Sequence, residues 1–128
     1  MALLFFIGRI LVGGYFIYNG YNHLANSGML AGYAGSKKVP YAKTGVIVSG
    51  LLFLVGGFSL LLWIEPVVGA GLLVLTLIPI TIMIHDYWKS TDPAHRMGER
   101  VAFLKNIALI GMLLMLMGLA SFIMMQAY

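Results

Sequence analysis

The chain has 128 residues, 61% of them hydrophobic and only 9% charged. Soluble domains carry about 25% charged residues, so this composition excludes a water-covered globule and predicts a single integral membrane domain over 1–128. The net charge of +4 does not mark a nucleic-acid binder, because the basic residues lie in short connections between apolar runs. The absence of cysteine excludes disulfides, thiol chemistry and Cys-ligated metal or iron–sulfur sites.

In chain order, apolar runs cover residues 2–19, 44–64, 66–84 and 107–125. Each approaches or exceeds the roughly 20 residues needed to cross about 30 Å of hydrocarbon. They predict spans of roughly 2–22, 43–64, 66–87 and 101–125, and therefore an all-α membrane four-helix bundle. The first run has no basic segment before it, carries Arg9 inside it and is followed by no small-x-small cleavage pattern, so it reads as a retained span. The first connection is rich in Gly and Ser and contains Pro40; it predicts a loop with a short interfacial helix near 29–34. Only Glu65-Pro66 joins spans two and three, a very tight turn that makes them antiparallel neighbours. Pro66 suits the first turn of a helix, and Glu65 suits the positive end of its dipole. Pro79 falls mid-span, where Thr76 or a neighbouring helix is expected to satisfy the freed carbonyl. After span three, Tyr87 and Trp88 read as interface anchors. Ser90-Thr91-Asp92 before Pro93 reads as the cap of a short helix, with span four starting near Val101.

Lys37, Lys38 and Lys43 load the first connection; Lys89, Arg96, Arg100 and Lys105 load the third. In a four-span protein those connections share one side. The positive-inside rule makes that side cytoplasmic and places both termini outside, in a multi-pass protein of the inner (cytoplasmic) membrane. Pairs such as Gly45 with Ser49, Gly50 with Gly56 and Gly57, Gly69 with Gly71, and Gly111 with Gly118 sit at helix-packing spacings. They predict close contacts inside the bundle or a homo-oligomer face.

Polar residues inside such spans are costly and mark where segments approach one another. Arg9 lies near the first terminus and is expected to be held by Glu65 or by backbone carbonyls; the functional alternative makes it a ligand for an anion or a quinone carbonyl. Asn19, Asn22 and His23 share one helical face, spaced i, i+3, i+4. His85 and Asp86 end span three, and Lys105 and Asn106 begin span four, on the same side. Asn22, His23, His85, Asp86, Lys105 and Asn106 are expected to converge on one polar pocket, with Asp86 accepting from Lys105 and Trp88 nearby. The candidate ligands of this set are a quinone headgroup or a lipid. The competing reading is a hydrogen-bond network that closes the helix ends. The histidine spacing does not match a zinc motif, and soft ligands are missing, so no metal site is expected.

The opening Gly8-Arg9, the G-Y-N-H-L ending at Leu24, Val39-Pro40, Gly56-Gly57, H-D-Y-W over 85–88 and F-L-K-N-I-A-L-I-G over 103–111 resemble the DoxX family across nearly the whole chain. The resemblance implies a small four-helix membrane protein. Some members resemble the membrane subunit of thiosulfate:quinone oxidoreductase; others are linked with membrane oxidoreductase complexes. His23 stands where relatives often carry Lys, and Phe53 where many carry Glu. The resemblance implies a non-catalytic membrane subunit of a quinone-linked redox complex. With no intrinsic cofactor motif, electron transfer would belong to a redox partner protein or to a bound quinone. Two other classes stay open: a small transporter or channel, and a structural or assembly factor without a ligand. A proton-coupled transporter of the small multidrug-resistance type needs a carboxylate deep in span one, and none is there.

Overall fold

The computed structural model describes all 128 residues. The chain is all helical: α1 (Ala2–Ala25), α2 (Ser27–Ser36), α3 (Ala42–Leu62), α4 (Pro66–Met83) and α5 (Pro93–Gln126), with one 3-10 turn at Tyr87–Lys89 between α4 and α5. Four of these helices, all but α2, are long and apolar enough to cross a membrane.

Neighbouring long helices run antiparallel. α1 packs on α3, α3 on α4 and α4 on α5, while α2 lies against α3 and the end of α1. Glycines set the first two contacts. A Cβ on Gly13 would meet the Gly57 carbonyl at 2.8 Å, and one on Gly57 would meet the Ile17 N at 2.9 Å. Gly20 and Gly50 repeat this two turns further along. Gly56, on the other flank of α3, faces Leu73 and Gly69 of α4. The Gly56-Gly57 pair thus lets α3 approach both neighbours at one level, where dispersion rather than hydrophobic transfer holds membrane helices together. Gly45, Gly111 and Gly118 have nothing within 4 Å of a built Cβ, so the expected Gly111–Gly118 packing inside the bundle does not occur. Phe16, Phe53, Leu60, Ala70, Leu73, Val74, Leu77 and Leu113 form the core.

The α3–α4 turn is three residues, with Trp63 and Glu65 both in the left-handed region at φ 58° and 48°. The Ser59 hydroxyl donates to the Ile64 carbonyl at 2.6 Å and braces the turn. Glu65 takes the N-cap position of α4, although its side chain makes no cap hydrogen bond. Thr76 does not serve the carbonyl freed by Pro79: its hydroxyl donates to Leu72 O at 2.7 Å, one turn along its own helix.

Two boundaries differ from the sequence expectation. The interfacial helix is longer, filling Ser27–Ser36. The separate short helix at Pro93 does not exist, because α5 runs unbroken for 34 residues. At 1.5 Å per residue that is about 51 Å, well beyond the hydrocarbon thickness. Asp92 caps it, accepting from the His95 N–H at 3.0 Å, and no Gly-Pro break separates the polar first turns from the apolar ones. The polar segment 93–100 is therefore the projecting start of span four.

Candidate functional site

At the end of the bundle carrying α2, the first and third connections are tied together by two carboxylates. Asp86 is 5% exposed and accepts from Lys37 at 2.5 Å, with Lys89 at 3.5 Å on its other oxygen. Glu99, from the projecting part of α5, accepts from the Tyr33 hydroxyl at 2.6 Å and sits 2.9 Å from His85 Nδ1. Hydrogen bonds to ionised acceptors are the strong ones, and these bridge α2, the α4–α5 connection and α5. Desolvation, reinforced by Glu99, pushes the Tyr33 phenol above its usual range, so it remains a neutral donor.

Behind this network lies a cavity of about 480 Å³, walled by α2, α3 and α4 and by the end of α1. Its wall is mostly aliphatic; its polar groups include His23, Tyr33, Ser49, Thr76 and His85. Small-molecule sites typically fall between about 300 and 1,000 Å³ and combine an apolar lining with a few polar groups. Leu75 and Pro79 are also in the wall. The Leu75 carbonyl, which has no donor from Pro79, is thus at a place where irregular backbone is tolerated in membranes.

The two imidazoles are held in the same manner. His23 Nδ1 lies 2.8 Å from Ser49 Oγ. The Ser49 hydroxyl itself donates to Val46 O at 2.9 Å, so Ser49 accepts from the His23 Nδ1–H. His85 Nδ1–H donates to Glu99. Each ring therefore has Nδ1 engaged and Nε2 without a protein partner. In a neutral ring that Nε2 is an acceptor; in a protonated ring it is a donor. Phe53 packs edge-on to the His23 ring at 5.1 Å and against Phe16 at 5.7 Å, so an apolar face backs the imidazole there.

Of the residues expected to converge, His23 and His85 share the cavity, and Asp86 belongs to the adjoining network. The expected Asp86–Lys105 pair does not form: Lys37 and Lys89, from the connections, reach the carboxylate first. Lys105 lies over the Tyr15 ring, 5.5 Å from its centroid, and Asn106 is buried at 3% exposure on the core side of α5; neither lines the cavity. Asn22 accepts from the Asn26 amide at 2.7 Å at the end of α1, and Asn19 donates to Tyr15 O at 2.8 Å within the helix; both bonds are local to that segment. Trp88 is half exposed and packs edge-on to Tyr87 and Phe103.

Arg9 and Glu65 lie at the opposite end, and the expected pair between them is absent. Glu65 is exposed beyond the α3–α4 turn, and no Arg9 nitrogen has a carboxylate within 4 Å or a hydrogen-bond partner on the backbone. The Arg9 guanidinium instead sits 5.5 and 5.6 Å from the Phe5 and Phe6 ring centroids, and its Nε is sealed without a partner.

Sequence reasoning missed Tyr33, Lys37, Ser49 and Glu99. Lys37 reads only as one of the basic residues of the first connection. Glu99 had one available signal: it is among only four acidic residues and falls inside a basic stretch.

A family model, DoxX, matches residues 4–86. That match takes in α1 to α4 and both cavity histidines. No curated protein and no solved structure matches the chain.

Proposed function

The chain belongs to the DoxX family, and from this we propose that it is a non-catalytic membrane subunit of a quinone-linked redox complex, holding the quinone ring in the cavity behind α2. It is a multi-pass membrane protein, with four helices apolar enough to span a bilayer. We place it in the cytoplasmic membrane with both termini outside, on the strength of the basic first and third connections.

One observation carries the ligand assignment: two imidazoles, each with Nδ1 fixed and Nε2 free, on the wall of an apolar cavity about 480 Å³ in volume. A bound quinone would supply two-electron, two-proton chemistry that this chain has no group to perform. The chain's own residues bind and orient. His23, its ring orientation set by Ser49, presents Nε2 to one ring oxygen. His85, held at Nδ1 by Glu99, presents Nε2 to the other. Tyr33 keeps the Glu99 carboxylate directed at His85. The aliphatic wall excludes water from the ring and takes the start of an isoprenoid tail.

The reading is tested by extracting lipids from the purified protein and measuring quinone against phospholipid. Enrichment is expected in the unmodified chain. It is expected to fall to the bulk-lipid ratio in Leu52→Trp, which fills the cavity from a partly exposed wall position. No enrichment in the unmodified chain, or equal enrichment in both, rejects the assignment.

A further inference from the structure

Glycine contact joins α3 and α4 at one end only. Their short turn starts them side by side, and Gly56 carries the contact as far as Leu73 and Gly69. Every residue that α3 and α4 give to the cavity wall lies beyond that point, on the α2 side: 45–52 of α3 and 75–83 of α4. The cavity thus occupies the interval between the two helices where their glycine contact has ended.

Its wall has a closed side and an open side. None of the wall residues from α1, α2 and the connections is exposed. The exposed ones all belong to α3 and α4: Gly45, Val48, Leu75, Pro79 and Met83. Leu75 is 68% exposed. It stands about 14 Å along α4 from Pro66, at 1.5 Å per residue, close to the middle of about 30 Å of hydrocarbon. Val48 is about 9 Å along α3 from Ala42 by the same measure. The mouth therefore faces acyl chains rather than water, and it carries no charged, amide or hydroxyl side chain. His23 and His85 come from the closed side. There Tyr33–Glu99 and Lys37–Asp86 fix α2 across the end of the bundle.

We propose that the ligand of this cavity enters from the bilayer between α3 and α4 and leaves its aliphatic chain in that cleft. This route rests on the quinone reading for the head group and adds to it a place for the chain. Continuity selects the occupant. A ring held at the imidazoles has one apolar exit, and the exit opens at hydrocarbon depth. A polar or charged ligand would lose its hydrogen bonds there, whereas an amphiphile already dissolved in the bilayer meets the mouth directly. Lipid is as apolar as the cleft, so the chain is selected by shape and not by hydrophobic transfer. Gly45 sets that shape on the α3 lip, because a Cβ there would meet nothing within 4 Å.

The test titrates the full chain, delipidated in mild detergent, with two quinones that share one ring, one with a long isoprenoid chain and one with none. Bound quinone is measured by extraction after gel filtration. Gly45→Trp is expected to weaken the long-chain quinone about tenfold, within the cost of overpacking, and to leave the chainless one unchanged. Gly45→Ala should bind both as the unmodified chain does, and Leu52→Trp should weaken both. Equal loss of both quinones in Gly45→Trp, loss of neither, or displacement of the long-chain quinone by an equimolar diacyl phospholipid would each overturn the route. A second measurement reads the mouth without any quinone. The chain has no cysteine, so Leu52→Cys accepts a single nitroxide on the cavity wall. In bilayers its spin relaxation is expected to respond to oxygen, which dissolves in lipid, and not to a water-soluble nickel chelate. A response to the chelate overturns the lateral mouth whether or not quinone binds. An oxygen response with no binding of either quinone upholds the mouth and rejects the head-group assignment.

Discussion

The two ends of the bundle solve the same problem differently. At the end with the α3–α4 turn, helices meet through glycine backbones and rings: Gly13 lies on Gly57, Phe5 stacks edge-on to Trp63 at 4.5 Å, and Arg9 has no ionic partner. At the α2 end the close Gly20–Gly50 approach is joined by ionic and hydrogen-bonded contacts, through Asp86, Glu99, His85, Tyr33 and Lys37. The difference follows from where acids lie. Three of the four carboxylates fall at the α2 end, and the fourth, Glu65, is held outward by the geometry of its turn. Close approach is available anywhere glycines align, whereas a polar network needs both partners in reach. The end built from partners is also the end with the cavity.

Breaking the glycine side should have the largest effect. Gly57→Leu drives a side chain into α1 backbone at Ile17 and Gly13. Overpacking costs about 1–3 kcal/mol, and more is expected where the opposing atoms are main chain. A lowered thermal midpoint in detergent is the readout. Gly111→Ala, into open space, should instead be neutral or stabilise by up to about 1 kcal/mol. Equal losses in the two variants would mean that helix propensity, not interhelical contact, governs these sites.

The ionic end should yield less. Asp86→Asn removes the carboxylate that Lys37 and Lys89 share, at a cost of about 1.5–3 kcal/mol, the range for hydrogen bonds to charged groups. Lys89 is 71% exposed and can rehydrate, so most of the loss falls on Lys37, whose side chain is 15% exposed. Faster proteolysis in the 37–41 connection should accompany it, because α2 loses its tie to the α4–α5 connection. An unchanged cleavage rate would show that Tyr33–Glu99 alone holds α2.

The smallest expected effect sharpens the contrast. Arg9→Met and Glu65→Gln should add within about 0.5 kcal/mol in a double-mutant cycle, as independent sites do. A coupling well above that value would reveal an ion pair at the turn end and remove the distinction between the two ends.

The sequence alone determined the class. Apolar runs of spanning length, charges confined to connections and glycines at packing intervals leave an all-α membrane bundle as the economical solution, since every backbone group must be satisfied within a span. The motifs from Gly8 to Gly111 carried the family likeness. The depth of His23 and His85 was legible too, because helix rise converts residue number into height. Azimuth and partner choice were not. His23 and His85 face the same cavity only because α2 folds under α3 and α4, while Lys105 lies over Tyr15 of α1 and Asn106 is buried along α5 with Leu113 and Ala120. Asp86 selects Lys37 over Lys105 for the same reason: a flexible connection can bring its lysine to a fixed carboxylate, whereas a residue within a rigid helix must take whatever lies on its own face.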